Sequence, residues 1–449
     1  MVYSEIEKGK RICFLGLGLS NLSLLHCLPL SKCQVSIRSE GKIDFSLIPQ
    51  GISNISFFEG EDAFKNIYED ILIFSPSVRR ERKEFDDARG RGAIFTSDAE
   101  LFFEIADKPV FGITGSDGKS TTSTMVSLLM SEAGYRVSLI GNIGIPMTAA
   151  IDGNRDFYVA ELSSFMLQYA NPSVLCAGLT NITENHLNWH KDFEEYKKTK
   201  IRFVKSSKKF LISDDDLYID GAFGIVSFDR FCDIKSGYPA DLYITLEDEY
   251  ICRNGKRILH FDDIRLKEKH NIQNLMMAIA MTDGYVGNEE IYNVAKSFSG
   301  LKHRCQTVYS AGGVDYIDSS IDSTPQRCIT TLNSLDRRVI LIIGGRTKKL
   351  DFSVLIPHII KYAKALILTG ESGCEVLELL RNTTEYTNAN IPTSYIPDFE
   401  NAVLFAVHNA QAGDTVLLSP AFTSYDSFKN FEERGDRFKE IIKNYYRGC

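Results

Sequence analysis

The stretch Val110-Phe-Gly-Ile-Thr-Gly-Ser-Asp-Gly-Lys-Ser-Thr121 decides how the chain folds. An apolar strand runs into a glycine turn, and a helical run from Thr122 to Glu132 follows at once. Strand, glycine loop and helix N-terminus in that order make a phosphate cradle. The glycines let backbone N–H groups turn inward, and the helix dipole adds positive potential. Across Thr114, Gly115, Ser116, Asp117, Gly118, Lys119, Ser120 and Thr121 the spacing is G-x-x-G-K-S. Lys119 is placed to reach terminal phosphates and the Ser120 hydroxyl to meet Mg²⁺. A nucleoside triphosphate site is expected.

Working outward, short β-rich runs alternate with helical patterns, the signature of βαβ units and parallel sheets. Before the loop stand Arg11–Leu15, Gln34–Ile37, Ile71–Phe74 and Ala93–Phe95. From the loop onward come Val110–Ile113, Val137–Ile140, Tyr158–Ala160 and Ala177–Thr180. A third set holds Val314–Ile317, Val339–Ile343, Ala365–Leu368 and Val416–Leu418. The reading is an α/β protein of three successive α/β domains, 1–107, 108–301 and 302–449. A length of 449 residues at about 150 per domain agrees with that count. Between 208 and 261 the strands shorten, and Asn254-Gly255 predicts a hairpin of the I′ type. A charged amphipathic helix is expected near Glu432 to Tyr445.

Composition narrows the function. At 44% hydrophobic and 24% charged the chain is not disordered, and a net charge of −8 supplies no field for general nucleic-acid binding. Ten cysteines form no C-x-x-C pair, so they read as reduced core residues rather than zinc ligands or disulfides. Ile12–Leu30 carries no Asp, Glu, Lys or Arg and mimics a signal peptide, but Gly16, Gly18, Asn21 and His26 fit a strand, turn and helix better. A cytoplasmic protein without membrane insertion or nucleic-acid partners is expected.

Other motifs sit at strand ends. Gly16-Leu-Gly-Leu-Ser-Asn21 lacks the third glycine of a dinucleotide site, leaving either another phosphate at the helix N-terminus or a structural turn. Glu161, in Glu161-Leu-Ser-Ser-Phe165, ends a strand beside the phosphate loop, where a metal role is favoured over a helix cap. His186 is a metal ligand or a satisfied structural histidine, and His190 reads as structural. Asn271 and Asn274 share a helix face and suit either a base or ribose contact or capping. Lys348, in Gly344-Gly-Arg-Thr-Lys-Lys-Leu-Asp351, suits a small dicarboxylic substrate, but a solvated charge run explains it at least as well.

These motifs, in this order, resemble the Mur ligases of peptidoglycan synthesis along essentially the whole chain. The family's T-G-x-x-G-K-S-T stands at Thr114–Thr121, its G-N-x-G-x-P at Gly141–Pro146 and its E-x-S-S-F at Glu161–Phe165. Leu418-Ser-Pro-Ala-Phe-Thr-Ser-Tyr-Asp-Ser-Phe-Lys-Asn-Phe-Glu-Glu-Arg-Gly435 resembles the signature of the D-glutamate-adding branch, rather than lysine- or diaminopimelate-adding enzymes or folylpolyglutamate synthase. Intact Lys119, Glu161, His186 and Lys200 speak against a non-catalytic nucleotide-binding scaffold.

The resemblance implies a Rossmann-like UDP-binding domain, a central P-loop ATPase domain and a Rossmann-like C-terminal domain. It implies ATP-dependent joining of D-glutamate to UDP-N-acetylmuramoyl-L-alanine by a monomer, with ATP, two Mg²⁺ ions and a CO₂-derived carbamate on Lys200. Lys119, Glu161, His186 and Lys200 are the implied catalytic set, and Ser120, Glu161, His186 and Lys200 the implied metal set. Asn271, Arg304 and Asp318 join the phosphate loop on the ATP side. Gly18, Ser20, Arg38, Ser39, Ser75, Asn142, Ser163, Ser323, Lys348, Ser424 and Phe431 are the implied substrate contacts. Four positions depart from the family pattern. Its N-D-S-x-A-T reads Asp318-Ser-Ser-Ile-Asp-Ser323, placing Ser319 at the aspartate. Its D-H reads Asn185-His186, its S-P-G reads Ser75-Pro-Ser77, and its uracil-site D-T reads Arg38-Ser39.

Overall fold

A computed structural model describes residues 1–52, 54–170, 172–184, 189–213, 219–346 and 351–448. The chain gathers into two compact units, Met1–Phe298 and Ser299–Cys449.

The first unit carries two sheets. Strands β1 (Arg11–Leu15), β2 (Gln34–Ser39), β3 (Ile55–Glu59), β4 (Ile71–Phe74) and β5 (Ile94–Thr96) lie in the order β3-β2-β1-β4-β5, every pairing parallel. The second sheet holds β6 (Val110–Thr114), β7 (Val137–Gly141), β8 (Phe157–Glu161), β9 (Cys176–Leu179), β10 (Phe210–Ser213), β11 (Gly224–Ser227), β12 (Leu242–Glu247), β13 (Tyr250–Arg253) and β14 (Lys256–His260). Its order is β14-β13-β12-β11-β10-β9-β6-β8-β7. β6 is buried at all five positions, as a parallel strand covered on both faces must be.

That order positions the site. From β6 the chain crosses to edge strand β7 through the helix Lys119–Glu132, whereas β8 is followed by β9 on the other side of β6. The crevice past the carboxyl end of β6 is therefore a topological switch point, where open α/β sheets take ligands.

The second unit holds β15 (Gln306–Ala311), β16 (Val314–Asp318), β17 (Val339–Gly344), β18 (Ala363–Thr369), β19 (Thr393–Tyr395) and β20 (Thr415–Leu418), ordered β15-β16-β20-β17-β18-β19. Only β15 is antiparallel. Separate apolar clusters cover its two faces, one around Leu341 and Leu332, the other around Ile342 and Phe438.

The Asn254-Gly255 hairpin joins β13 to β14, with both residues at positive φ as the I′ turn demands. The closing helix runs Phe431–Gly448. Strands β3, β15 and β19 were not anticipated. All three are sheet edges whose side chains are mixed or half-exposed, so they lack the apolar run that marks a covered strand. Among the described residues no helix is long and apolar enough to cross a membrane.

Candidate active site

The phosphate loop has the backbone its glycines foreshadow. Gly115 and Gly118 sit at φ +148° and +77°. A Cβ on Gly115 would collide with Thr180 Oγ1, and one on Gly118 with Asn274 Oδ1. Neighbouring side chains brace the loop from outside its backbone. Thr114 Oγ1 donates to Leu162 O at 2.9 Å, and Asp117 N donates to Asn181 Oδ1 at 2.8 Å. Ser116 Oγ lies 2.8 Å from the Tyr196 hydroxyl. Lys119 Nζ donates to Ser116 O at 2.6 Å, and Ser120, buried, is the second residue of the helix. Thr121 is half-buried beside it.

Three further expected residues converge here. Glu161 ends β8, in register with Ile113 of β6, and is wholly buried. Its Oε1 accepts from Asn142 Nδ2 at 2.7 Å, while its Oε2 has no hydrogen-bond partner among the described residues. Lys200, on the helix Phe193–Ser206, is 1% exposed and passes under the loop to donate to Gly115 O at 2.8 Å and Thr114 Oγ1 at 3.3 Å. Burial drives its pKa well below the ordinary lysine value, and neighbouring Lys119 adds to the fall. Ser163 caps the helix Ser164–Tyr169, accepting from Met166 N at 3.3 Å. His186 lies outside the described residues, and Asn271 donates to Glu268 Oε2 at 3.0 Å near the start of its helix. Among the described residues no cluster of three or more His, Cys, Asp or Glu side chains is set to hold a metal. A buried carboxylate oxygen without a donor, beside a loop built for phosphates, nevertheless fits a divalent cation carried in with a nucleotide.

In the first sheet, Gly18 caps the helix Leu19–Cys27 and Ser75 follows β4. Ser20 and Ser75 line a cleft with Arg80, Asp98, Phe165 and Tyr169. Asn21 explains the missing third glycine: its amide nitrogen donates to the carbonyls of Gly16, Leu15 and Ile73 at 2.7, 3.2 and 3.3 Å, tying the ends of β1 and β4. Arg38, expected at the uridine site, has its hydrogen bonds inside the first sheet's own loops. Its guanidinium is buried, donating to the carbonyls of Ala63 and Lys65 at 3.0 and 2.8 Å and lying over Phe58. Ser36 and Arg38, two residues apart, share one face of β2, and both bond Glu69, so the pleat fixes that direction. Ser39 Oγ accepts from Gly41 N at 3.2 Å.

The second unit holds the aspartate expected on the ATP side. Asp318, assigned to the nucleotide, is fully buried at the end of β16 and already partnered. Its Oδ2 lies 2.7 Å from His303 Nδ1, and its Oδ1 accepts from Ser320 N at 2.8 Å. Asp318 thus anchors the segment that carries half-buried Arg304. Phe431 meets the His303 ring edge-on at 6.2 Å, Ser323 is half-buried, Ser424 is buried, and Lys348 lies outside the described residues. Arg434, unremarked in the sequence though inside its longest motif, is 2% exposed. It donates to Ser320 O at 2.9 Å, Phe422 O at 3.2 Å and Gly344 O at 3.4 Å, joining the loops after β16 and β20 to the end of β17.

Comparison with known proteins bears directly on this arrangement. Residues 113–282 match the Mur ligase middle domain, and residues 303–422 match the Mur ligase glutamate ligase domain. The UDP-N-acetylmuramoylalanine–D-glutamate ligase of Clostridium tetani is 33% identical over 98% of this chain and 99% of its own length. The chain belongs to the Mur ligase family. The like-named ligase of Acetivibrio thermocellus is 35% identical, with 97% of both chains covered. Among solved structures, the UDP-N-acetylmuramate-alanine ligase of Thermotoga maritima superposes with a TM-score of 0.59 at 16% identity, over 98% of this chain and all of that one. A pseudomurein peptide ligase from Methanothermus fervidus gives 0.53 at 16%, over 97% and 100%. These two likenesses establish the fold.

Proposed function

We propose that this Mur ligase joins D-glutamate to UDP-N-acetylmuramoyl-L-alanine at the expense of ATP, releasing ADP and phosphate. The observation that carries the reaction type is the buried convergence of phosphate loop, Glu161 and Lys200 at the ends of β6 and β8. Likeness to D-glutamate ligases over the full length supports the choice of amino acid.

The chemistry follows from the acceptor. A carboxylate is a poor acyl donor because its oxide leaves badly. Transfer of the γ-phosphoryl group makes an acyl phosphate; the amine of D-glutamate attacks it, and the tetrahedral intermediate collapses to amide and phosphate. Such a sequence needs several anions gathered and aligned. Backbone N–H groups of the loop and the helix N-terminus take the phosphates, and Lys119, held at Ser116 O, swings to the terminal ones. Asn142 fixes one oxygen of Glu161 and so aims the other. Ser120, Glu161, His186 and Lys200 are the residues that would hold Mg²⁺, and the ion would supply positive charge to offset the gathered anions.

Burial shifts the Lys200 amine toward its neutral, nucleophilic form. Addition to CO₂ with loss of one proton converts it to a carbamate, an anion suited to a metal neighbourhood. Asn271 and Arg304 serve the nucleotide; Ser20, Ser75 and Ser163 the sugar nucleotide; Lys348, Ser424 and Phe431 the D-glutamate. The enzyme acts as a cytoplasmic monomer on small molecules. Phosphate release from ATP with UDP-N-acetylmuramoyl-L-alanine and a panel of amino acids tests the reading. D-Glutamate should support turnover with a product of the matching mass; turnover with L-lysine or diaminopimelate but not D-glutamate overturns it.

A further inference from the structure

Between the cleft of the first sheet and the phosphate loop runs an unbroken line of side chains that the chemistry above leaves without a role. Arg79, on the loop after β4, donates through Nη2 to Trp189 O and holds its guanidinium carbon 5.0 Å from the indole centroid. The indole meets Phe165 edge-to-face at 4.9 Å, and its Nε1 donates to Gln168 Oε1 at 2.7 Å. Phe165 also lines the cleft, and its ring lies within 7° of parallel to that of His190, 6.3 Å away. His190 in turn meets Tyr196 edge-on at 5.3 Å. The Tyr196 hydroxyl is the group 2.8 Å from Ser116 Oγ, inside the phosphate loop.

The middle of this line cannot move alone. His190 is 2% exposed, and neither ring nitrogen has a hydrogen-bond partner among the described residues; the nearest carboxylate oxygen, Glu195 Oε2, is 3.6 Å away. The rings of Phe165 and Tyr196 flank it. At the far end Ser116 Oγ also bridges Thr183, accepting from its N at 2.9 Å and donating to its O at 3.0 Å, so a shift of Tyr196 reaches both flanks of the loop. Close-packed interiors transmit such shifts rather than absorb them.

We propose that Arg79, Trp189 and Tyr196 are positioning residues, which carry the seating of the Phe165 wall of the cleft into the setting of Ser116 in the phosphate loop. The ligase reading enters only in saying which molecule fills the cleft. Trp189 is the one tryptophan of the chain, so its emission reports on the line directly. The full-length protein is titrated with Mg·ATP under selective indole excitation, and nucleotide binding is followed separately by equilibrium dialysis.

A saturable emission change is expected in the wild type. Tyr196→Phe, which keeps the ring and removes only the hydroxyl, should bind nucleotide within about threefold of wild type yet lose that emission response. Arg79→Ala should show red-shifted emission before any nucleotide is added. Both should lower kcat about tenfold with KM for ATP little changed, a misplacement signature. Arg79→Lys, which keeps charge without the planar stack, should restore less than half of the loss. Silent wild-type emission at saturating nucleotide, or a wild-type response in both variants, overturns the proposal. A wild type that shows the response but no D-glutamate turnover would instead strike at the ligase reading and leave the line of contacts standing.

Discussion

At the residue scale, Lys200 shows what residue pattern alone conceals. Its neighbours Glu194, Glu195, Lys197 and Lys198 make the helix look solvated, and only the family resemblance raised it above a surface lysine. The fold buries it because its helix packs so that Nζ reaches Gly115 O under the phosphate loop. If the amine is carbamylated, Lys200→Ala should cut ligation by about a hundredfold or more, in the range for lost preorganised charge. Added short-chain carboxylates should then restore part of it, and a fully active variant would remove the carbamate from the mechanism. His303 offers a prediction with a sign. Its hydrogen bond to Asp318 raises its pKa above the ordinary 6.5, against burial, which lowers it. The folded state therefore holds the proton more tightly than the unfolded chain. The stabilisation is complete below pH 6.5 and is lost as pH rises through the folded-state value. The urea midpoint of the second unit should fall over that rise, and His303→Asn should flatten the dependence; an unchanged slope in the variant would locate the effect elsewhere. The sequence could not reveal this pair. It offered Asp318 only as a stand-in for a family aspartate one position away.

At the element scale, legibility followed burial. Strands covered on both faces, such as β6, β17 and β20, announce themselves as apolar runs, and the Asn254-Gly255 turn announces its own type. Edge strands β3, β15 and β19 carry no such mark, since half of each faces water. Side-chain direction is not legible either: sequence places Arg38 on a strand, and only the pleat shows it bonded to Ala63 and Glu69. The phosphate loop lies at the legible end, and its Gly118 forms a paired test with Gly134, just past the far end of the helix that follows the loop. Gly134, at φ +88°, has nothing near where a Cβ would stand, so Gly134→Ala should cost about 1 kcal/mol of stability and leave nucleotide affinity intact. Gly118, at φ +77°, backs onto Asn274, whose Oδ1 also accepts from Thr122 Oγ1 at 3.2 Å. Gly118→Ala must therefore deform the loop as well as strain it, and should weaken Mg·ATP binding by at least about tenfold. Equal effects of the two substitutions on affinity would mean that the close approach to Asn274 is not what shapes the loop.

At the scale of the whole molecule, a net charge of −8 has to be reconciled with ligands that are all anions. Attraction must be local, from helix N-termini and Lys119 at the switch-point crevice rather than from the protein's overall field. Local attraction implies that nucleotide binding stabilises the part of the chain that holds the crevice. The division into units 1–298 and 299–449, each with its own sheets and apolar clusters, makes that measurable. Trp189 reports on the first unit alone, whereas far-ultraviolet circular dichroism averages over both. Urea unfolding followed by the two probes should give curves that do not coincide, the mark of more than one cooperative unit. Mg·ATP at a hundredfold excess over its Kd should then stabilise the state seen by Trp189 by about 2.7 kcal/mol, the mass-action value for a ligand bound only by the folded form. Superimposable curves from both probes, with or without nucleotide, would show that the two units unfold as one.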